Sequence, residues 1–259
     1  MNKIKSICII SDSFIPTKIS AAGMIYNLGL SFKKHGYYVT FIYGGVSNFN
    51  NKYKNLFLPY ELNDLNMISS DFLISLRNKG YYLRFIYEII LSLSLSIKIL
   101  FYFKDLKKID LVIHYGPSAF LWFPVLILKL ISKSKSYYIL RDIFPDWLID
   151  LGIIKNKFLI FFLNLISKPQ FHICKKVGVE TNFNLHHLGN KIKNVKFEVL
   201  NNWPSLNDKN IHITNTSTLK EILKKFKKIN KDKIVGVYLG NNSIAHDFDK
   251  SRDFYINNI

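Results

Sequence analysis

Ile7-Cys8-Ile9-Ile10, Ala21 to Lys34 with Ile25, Leu28 and Phe32 at helical spacing, His35-Gly36, and Val39 to Tyr43 decide the fold. A short, fully apolar run is what a central parallel strand looks like, because both of its faces are covered. The polar stretch Ser11 to Ser20, with Pro16, reads as a loop. The helix after it closes on a basic last turn, Lys33-Lys34-His35, followed by Gly36, which supplies two independent stop signals. Val39 to Tyr43 is then a second strand, and the whole is one β-α-β unit.

The same alternation continues along the chain. Leu111-Val112-Ile113-His114 reads as a strand before Gly116-Pro117-Ser118, and Tyr137 to Leu140 as a strand before Arg141-Asp142. Val177 to Glu180 and Phe197 to Leu200 complete the series, the last followed by Asn201-Asn202-Trp203-Pro204. Strands separated by helices imply an α/β fold with a doubly wound parallel sheet. Ligands of such sheets bind where the strands end at their carboxyl termini. Residues 1–205 therefore read as one complete domain. Residues 206–233 are polar, rich in Asn and Lys, and read as a linker with a connecting helix, Thr218 to Ile229. Ile234 to Leu239 starts a new strand before Gly240-Asn241, so 234–259 reads as the truncated start of a second α/β domain. A piece of that size cannot bury a core by itself.

The chain has 259 residues, of which 49% are hydrophobic and 15% aromatic, enough to exclude a disordered protein. Lys and Arg number 36 against 18 Asp and Glu, a formal charge of +18 with a pI near 9.7. That charge fits an anionic partner. The lysines are scattered and no nucleic-acid-binding signature accompanies them, so nucleic acid is excluded as the expected partner. A basic face beside apolar helices fits an anionic lipid surface instead. Two cysteines, Cys8 and Cys174, can make neither a disulfide framework nor a four-ligand zinc site, and they point to a reducing compartment. No secretory signal opens the chain. The longest apolar run, Phe85 to Phe103, carries Glu88 and Lys98. A lysine near the centre of a membrane span costs roughly 2.5–3.5 kcal/mol, which disfavours spanning. Tyr81 to Phe103 is expected as a helix with a broad apolar side. Arg77, Lys79 and Arg84 lie before and at its start and Lys104, Lys107 and Lys108 follow it, an arrangement that suits peripheral docking on anionic lipid.

Arg141-Asp142-Ile143-Phe144-Pro145-Asp146-Trp147 is the most specific stretch. It places a fixed cation, two carboxylates and two aromatics directly after a buried strand. Arg grips phosphate or carboxylate bidentately and aromatics stack on sugars; internal pairing of Arg141 and Asp142 would account for the same residues. Ala21-Ala22-Gly23 opens a helix whose backbone N–H groups could face a phosphate, although an ordinary helix start reads the same way. The G-x-G-x-x-G fingerprint is absent, so no nicotinamide or flavin cofactor is expected. His114, at the presumed crevice, is a candidate hydrogen-bond donor or base, or a structurally satisfied strand-end histidine. No histidine pair has zinc spacing, and no metal is expected.

These landmarks resemble the family 4 glycosyltransferases of bacterial surface-polysaccharide assembly. The resemblance rests on Ile9-Ile10-Ser11-Asp12-Ser13-Phe14-Ile15-Pro16 with Ala22-Gly23, on Phe32 to Thr40, on Ile109 to Ile113, on Leu140 to Trp147 with Leu151-Gly152, on Val199 to Trp203, and on Tyr238 to Asn241. The Arg-Asp-x-Phe-Pro-x-Trp stretch is similar to the N-acetylfucosaminyl-type branch. The family usually has Gly-Gly where this chain has Ala22-Gly23. Its nucleotide-binding domain, with a basic pair for the diphosphate and a paired-glutamate motif, has no counterpart before Ile259. The resemblance implies the Rossmann-like N-terminal half of a two-domain GT-B fold. It implies transfer of a sugar from a nucleotide-sugar donor, which is a substrate, to a lipid-linked saccharide, with no cofactor. By the same resemblance, Gly23, His114, Arg141, Asp142 and Asn202 bind substrate, Gly240 and Asn241 begin the donor site, and no catalytic residue is assignable. The expected setting is cytoplasmic and peripheral on the anionic inner membrane. Two alternatives stay open: a non-catalytic, membrane-attached half that recruits a separate donor-binding chain, and an inactive truncated remnant.

Overall fold

A computed structural model of the chain describes residues 4–15, 17, 19–44, 60–62, 65–70, 72–77, 79–116, 118–203, 221 and 224. The chain divides into two units, Met1–Leu206 and Asn207–Ile259. Of the second, only Glu221 and Lys224 are described, both helical and exposed. The strand expected at 234–239 and the site residues Gly240 and Asn241 lie outside the described residues.

Strand β1 (Ser6–Ser11) is central, as its apolar run requires. Helix α1 (Ser20–Lys34) returns the chain to β2 (Tyr38–Gly44), which pairs with β1 in parallel, Ile10 opposite Ile42. Two strands follow that the sequence reading did not foresee, β3 (Tyr60–Leu62) and β4 (Leu65–Ser70). Helices α2 (Tyr81–Phe101) and α3 (Phe103–Leu106) then lead across to β5 (Leu111–Gly116) on the other side of β1. From there α4 (Trp122–Ser132), β6 (Lys135–Leu140), α5 (Asp146–Asp150), α6 (Lys157–Ser167), α7 (Pro169–His172), β7 (Lys176–Val179), α8 (Asn182–Lys191) and β8 (Phe197–Val199) extend the sheet outward. The strand order is β3-β4-β2-β1-β5-β6-β7-β8, parallel throughout except for β3 against β4. This is the doubly wound parallel α/β sheet that the alternation implied.

Alternate residues of each strand feed opposite faces. On one face Cys8, Ile10, Ile42 and Val112 pack beneath α2 and α4, which contribute Leu91, Leu95, Val125 and Leu128. On the other, Ile7, Ile9, Phe41 and Ile113 pack with Phe14 and with Ile25 of α1. A third cluster joins Tyr138, Val177 and Val179 to Phe171 and Leu188 at the β7 side. Both cysteines are buried in this interior; burial raises the Cys8 thiol strongly and pushes Cys174 up to about 12, so neither is a thiolate nucleophile.

The helix expected over Tyr81 to Phe103 breaks at Tyr102, giving α2 and the short α3. One side of α2 covers the sheet and the other leaves Leu93, Ile97, Leu100 and Phe101 exposed. Lys98 does not reach solvent: its ammonium donates to the Ser69 carbonyl and only 6% of the residue is exposed. Among the described residues no helix is long and apolar enough to cross a membrane.

Two glycines are fixed by geometry. Gly36, at φ +83°, takes the left-handed conformation that ends the α1 connection. Gly29 lets α1 approach the sheet so closely that a Cβ there would lie 2.2 Å from Cζ of Phe41, a ring already wedged against Phe14. Gly29→Val therefore forces α1 outward, and we expect it to destabilise the domain by about 1–3 kcal/mol, the usual range for overpacking. Urea unfolding of the parent and the variant measures the difference; equal midpoints would show that α1 is free to shift.

Candidate functional site at the strand ends

The parallel strands all end on one crest, where the loops carry most of the charged side chains described below. Arg141 follows β6 and turns back across the neighbouring strands. Its Nη1 donates to Oε1 of Glu180, after β7, and to the carbonyl of Leu200, after β8, each at 3.3 Å. Its guanidinium lies over the rings of Tyr115, at the end of β5 (5.8 Å), and Trp203 (5.1 Å). The side chain is only 9% exposed, and Nε and Nη2 have no hydrogen-bond partner among the described residues. Trp203 in turn donates its indole N–H to the Met24 carbonyl at 3.1 Å, in the first turns of α1. The end of β8 is thus fastened to the helix start beside Gly23.

This linkage brings together four of the five substrate-binding residues chosen from sequence. Gly23 adjoins Met24, Asn202 adjoins Trp203, and Arg141 and Asp142 follow β6. Nothing lies within 4 Å of where a Cβ on Gly23 would stand, so the glycine faces open space and is not required by internal packing. Asn202 is exposed. Asp142 is solvent-accessible at the rim, yet partly desolvated by the protein on its flanks. That desolvation, then repulsion from Glu180, raises its carboxyl above the ordinary aspartate range.

His114 is not part of the crest. β5 runs two residues past it, and the ring is fully buried, stacked on Tyr138 at 4.3 Å. Neither ring nitrogen has a hydrogen-bond partner among the described residues, and burial pushes its pKa down to about 3.

Several crest residues escaped the sequence reading. Asp12, directly after β1 and 3% exposed, accepts from Ser13 Oγ at 3.2 Å and from Nη2 of Arg77 at 3.3 Å. Arg77 also donates to the Asp12 carbonyl at 3.2 Å. Arg84 pairs with Glu88 at 3.2 Å, and Ser118 Oγ donates to the other Glu88 oxygen at 3.1 Å. Burial raises the Glu88 carboxyl, while Arg84 opposes that rise. The place of Asp12 just beyond a buried strand was the available signal; the partner of Arg77 is distant in sequence, whereas Glu88 stands one helical turn after Arg84, a spacing that pairs such charges. Arg77 was expected to flank a lipid-facing helix and instead clamps the crest. Among the described residues no group of three or more His, Cys, Asp or Glu could hold a metal ion.

No family model and no curated protein matches the chain. Solved structures similar to it include a sucrose-phosphate synthase from Thermosynechococcus elongatus, at TM-score 0.49 and 9% identity, covering 87% of this chain and 99% of that one. A Phytolacca americana UGT2 complexed with UDP-2fluoro-glucose and pterostilbene follows at TM-score 0.49 and 9% identity, over 85% of this chain and 57% of that one. An alpha,alpha-trehalose-phosphate synthase (UDP-forming) from Burkholderia vietnamiensis gives 0.41 and 12%, over 73% and 43%. The chain thus spans about half the length of the last two. These likenesses are too distant to carry a residue role across, and the site is argued from its own side chains.

The buried neutral His114 has a consequence for stability. A depressed pKa means that the unfolded chain takes up a proton near its ordinary value of 6.5 while the folded chain does not, until about pH 3. The folded state therefore loses stability as pH falls through that window. We expect about 2 kcal/mol of loss between pH 7 and pH 5 from this group. His114→Phe keeps an aromatic ring against Tyr138 and should remove that part of the acid sensitivity. Urea unfolding at the two pH values checks it; an unchanged pH dependence would show that His114 is protonated or hydrated in the fold.

Proposed function

We propose that residues 1–205 are the acceptor-side half of a retaining glycosyltransferase, the N-terminal half of a GT-B pair. Sugar would pass from a nucleotide-diphosphate donor to a lipid-linked saccharide at the anionic inner-membrane surface of the cytoplasm. The observation that carries the reading is the crest itself. An accessible carboxylate of raised pKa, Asp142, follows in the chain from Arg141, whose guanidinium stacks on Trp203, and Trp203 is bonded to α1 at Met24, next to the open Gly23. A sugar hydroxyl is a hydrogen-bond donor of the kind a carboxylate holds, and aromatic rings stack on sugars. In this reading Asp142 accepts a hydrogen bond from the acceptor hydroxyl and orients its oxygen. Arg141 shapes the floor from beneath Trp203, and Asn202 lines the cleft. Gly23 would approach the donor phosphates. Charge developing on the departing diphosphate needs donors already in place, since preorganised N–H groups cost no rearrangement during the reaction; the start of α1 offers such groups.

Binding of a short-chain polyprenyl-diphosphate-linked hexosamine to the full chain, followed by tryptophan fluorescence, tests the acceptor role directly. Asp142→Asn should weaken binding by roughly tenfold or more, as loss of a charge-assisted hydrogen bond does. The active form is the carboxylate and its pKa is raised, so binding should fall with decreasing pH from above the ordinary aspartate range. The Asn variant should lack that acid limb. Absence of saturable acceptor binding would overturn the proposal.

A further inference from the structure

Helix α6, Lys157-Phe158-Leu159-Ile160-Phe161-Phe162-Leu163-Asn164-Leu165-Ile166-Ser167, carries two apolar stripes where the fold uses one. Ile160, Leu163 and Ser167 turn inward, with Leu163 and Ser167 each 3% exposed. Phe158, Phe161, Phe162 and Leu165 recur at the i, i+3, i+4, i+7 spacing of a second helical face and point outward. Phe158 is 79% exposed, Phe161 66% and Leu165 57%. The helix start is firmly set, with the Asn156 side chain accepting from the Phe158 and Leu159 amides. Phenylalanines on a set helix are exposed by construction, and they need a partner.

The charge around them selects its chemistry. Between residues 151 and 175 the chain has Lys155, Lys157, Lys168 and Lys175, all exposed, and no Asp or Glu. Lysine is depleted in protein–protein interfaces, whereas basic residues beside an apolar helical face are what an anionic lipid surface attracts. At 11 residues the helix is about 16 Å long, half of a hydrocarbon core of about 30 Å, so it can only lie along the surface. Helix α2, the segment first expected to meet lipid, is followed by exposed Lys104, Lys107 and Lys108 with the acidic Asp105 among them, and three of its other cations are engaged within the protein. Arg77 and Arg84 are committed to Asp12 and Glu88, and Lys98 to Ser69.

We propose that α6 is the element by which this chain docks on an anionic bilayer, with Phe158, Phe161, Phe162 and Leu165 in the headgroup–acyl boundary and the four lysines at lipid phosphates. The proposal refines the membrane-surface part of the function above and does not depend on sugar transfer. The test is co-sedimentation of the full chain with phosphatidylcholine vesicles made with and without phosphatidylglycerol, at low and high salt. Binding should require phosphatidylglycerol and weaken in high salt. Phe158→Ser with Phe161→Ser should reduce it roughly 100-fold, as expected for two aromatic side chains left in water. Leu93→Ser with Ile97→Ser, on the outer side of α2, should change it little. Because Cys8 and Cys174 are buried, an environment-sensitive fluorophore placed at Phe161→Cys reports α6 alone, and it should shift to the blue on anionic vesicles even if the serine variant folds poorly. Vesicle binding undiminished in the α6 variant, or lost in the α2 variant instead, overturns the proposal while leaving membrane docking intact. No vesicle binding at all, or a blue shift that follows protein concentration without lipid, overturns both it and the membrane-surface reading, and neither result bears on acceptor binding at Asp142.

Discussion

The Arg141 guanidinium is the interaction on which the crest depends. A parallel sheet brings strand ends together, but nothing in a backbone ladder fixes the loops beyond them. Arg141 spans that gap: it reaches the end of β5 through Tyr115, the end of β7 through Glu180 and the end of β8 through the Leu200 carbonyl. Through Trp203 it reaches α1. One planar cation can do this because its edge donates hydrogen bonds while its faces stack on rings, which a lysine cannot reproduce. Nε and Nη2 carry three N–H groups without a partner among the described residues, an arrangement costly in hydrogen bonding.

How far the sequence could be read follows from what each signal reports. The strands at Ile7 to Ile10 and Val39 to Tyr43 were legible because burial on both faces leaves no room for polar residues, and the stop at Gly36 because only glycine is comfortable at its φ. β4 was missed because Leu65-Asn66-Met67-Ile68-Ser69-Ser70 is neither a solid apolar run nor a clean alternation; its pairing with β2 settles its conformation, and that is a tertiary fact. The crest was half legible. Residues soon after strands, such as Arg141, Asp142 and Asn202, could be placed near the strand ends by position. Arg77 and Arg84 were assigned to a lipid flank because their charge was read without their partners: Asp12 meets Arg77 only through the fold, while Glu88 lies one turn along the same helix from Arg84. His114 was misplaced by two residues of strand, which separates a residue on the crest from one sealed beneath it.

The distribution of charge bears on the same division of labour. The chain's excess of +18 is an excess of lysine-rich surface, not of the crest. There Arg77, Arg84 and Arg141 stand against Asp12, Glu88, Asp142 and Glu180, a near balance. Desolvation lifts the Glu88 and Asp142 carboxyls, and neighbouring carboxylates lift Asp142 further. A site that had to hold a nucleotide diphosphate by itself would need surplus cation at this point; a near-neutral crest with raised carboxyls suits uncharged hydroxyls. That favours placing saccharide rather than nucleotide against this half, and it leaves the scattered lysines to a different partner. Four of them lie exposed within residues 151–175, the segment that holds α6, and an anionic surface gains from every positive charge brought within about 8–10 Å of it at physiological ionic strength. In the proposed function, hydroxyl recognition and surface attraction make opposite electrostatic demands on one chain; among the described residues the crest arginines are paired, and no ion pair engages Lys155, Lys157, Lys168 or Lys175.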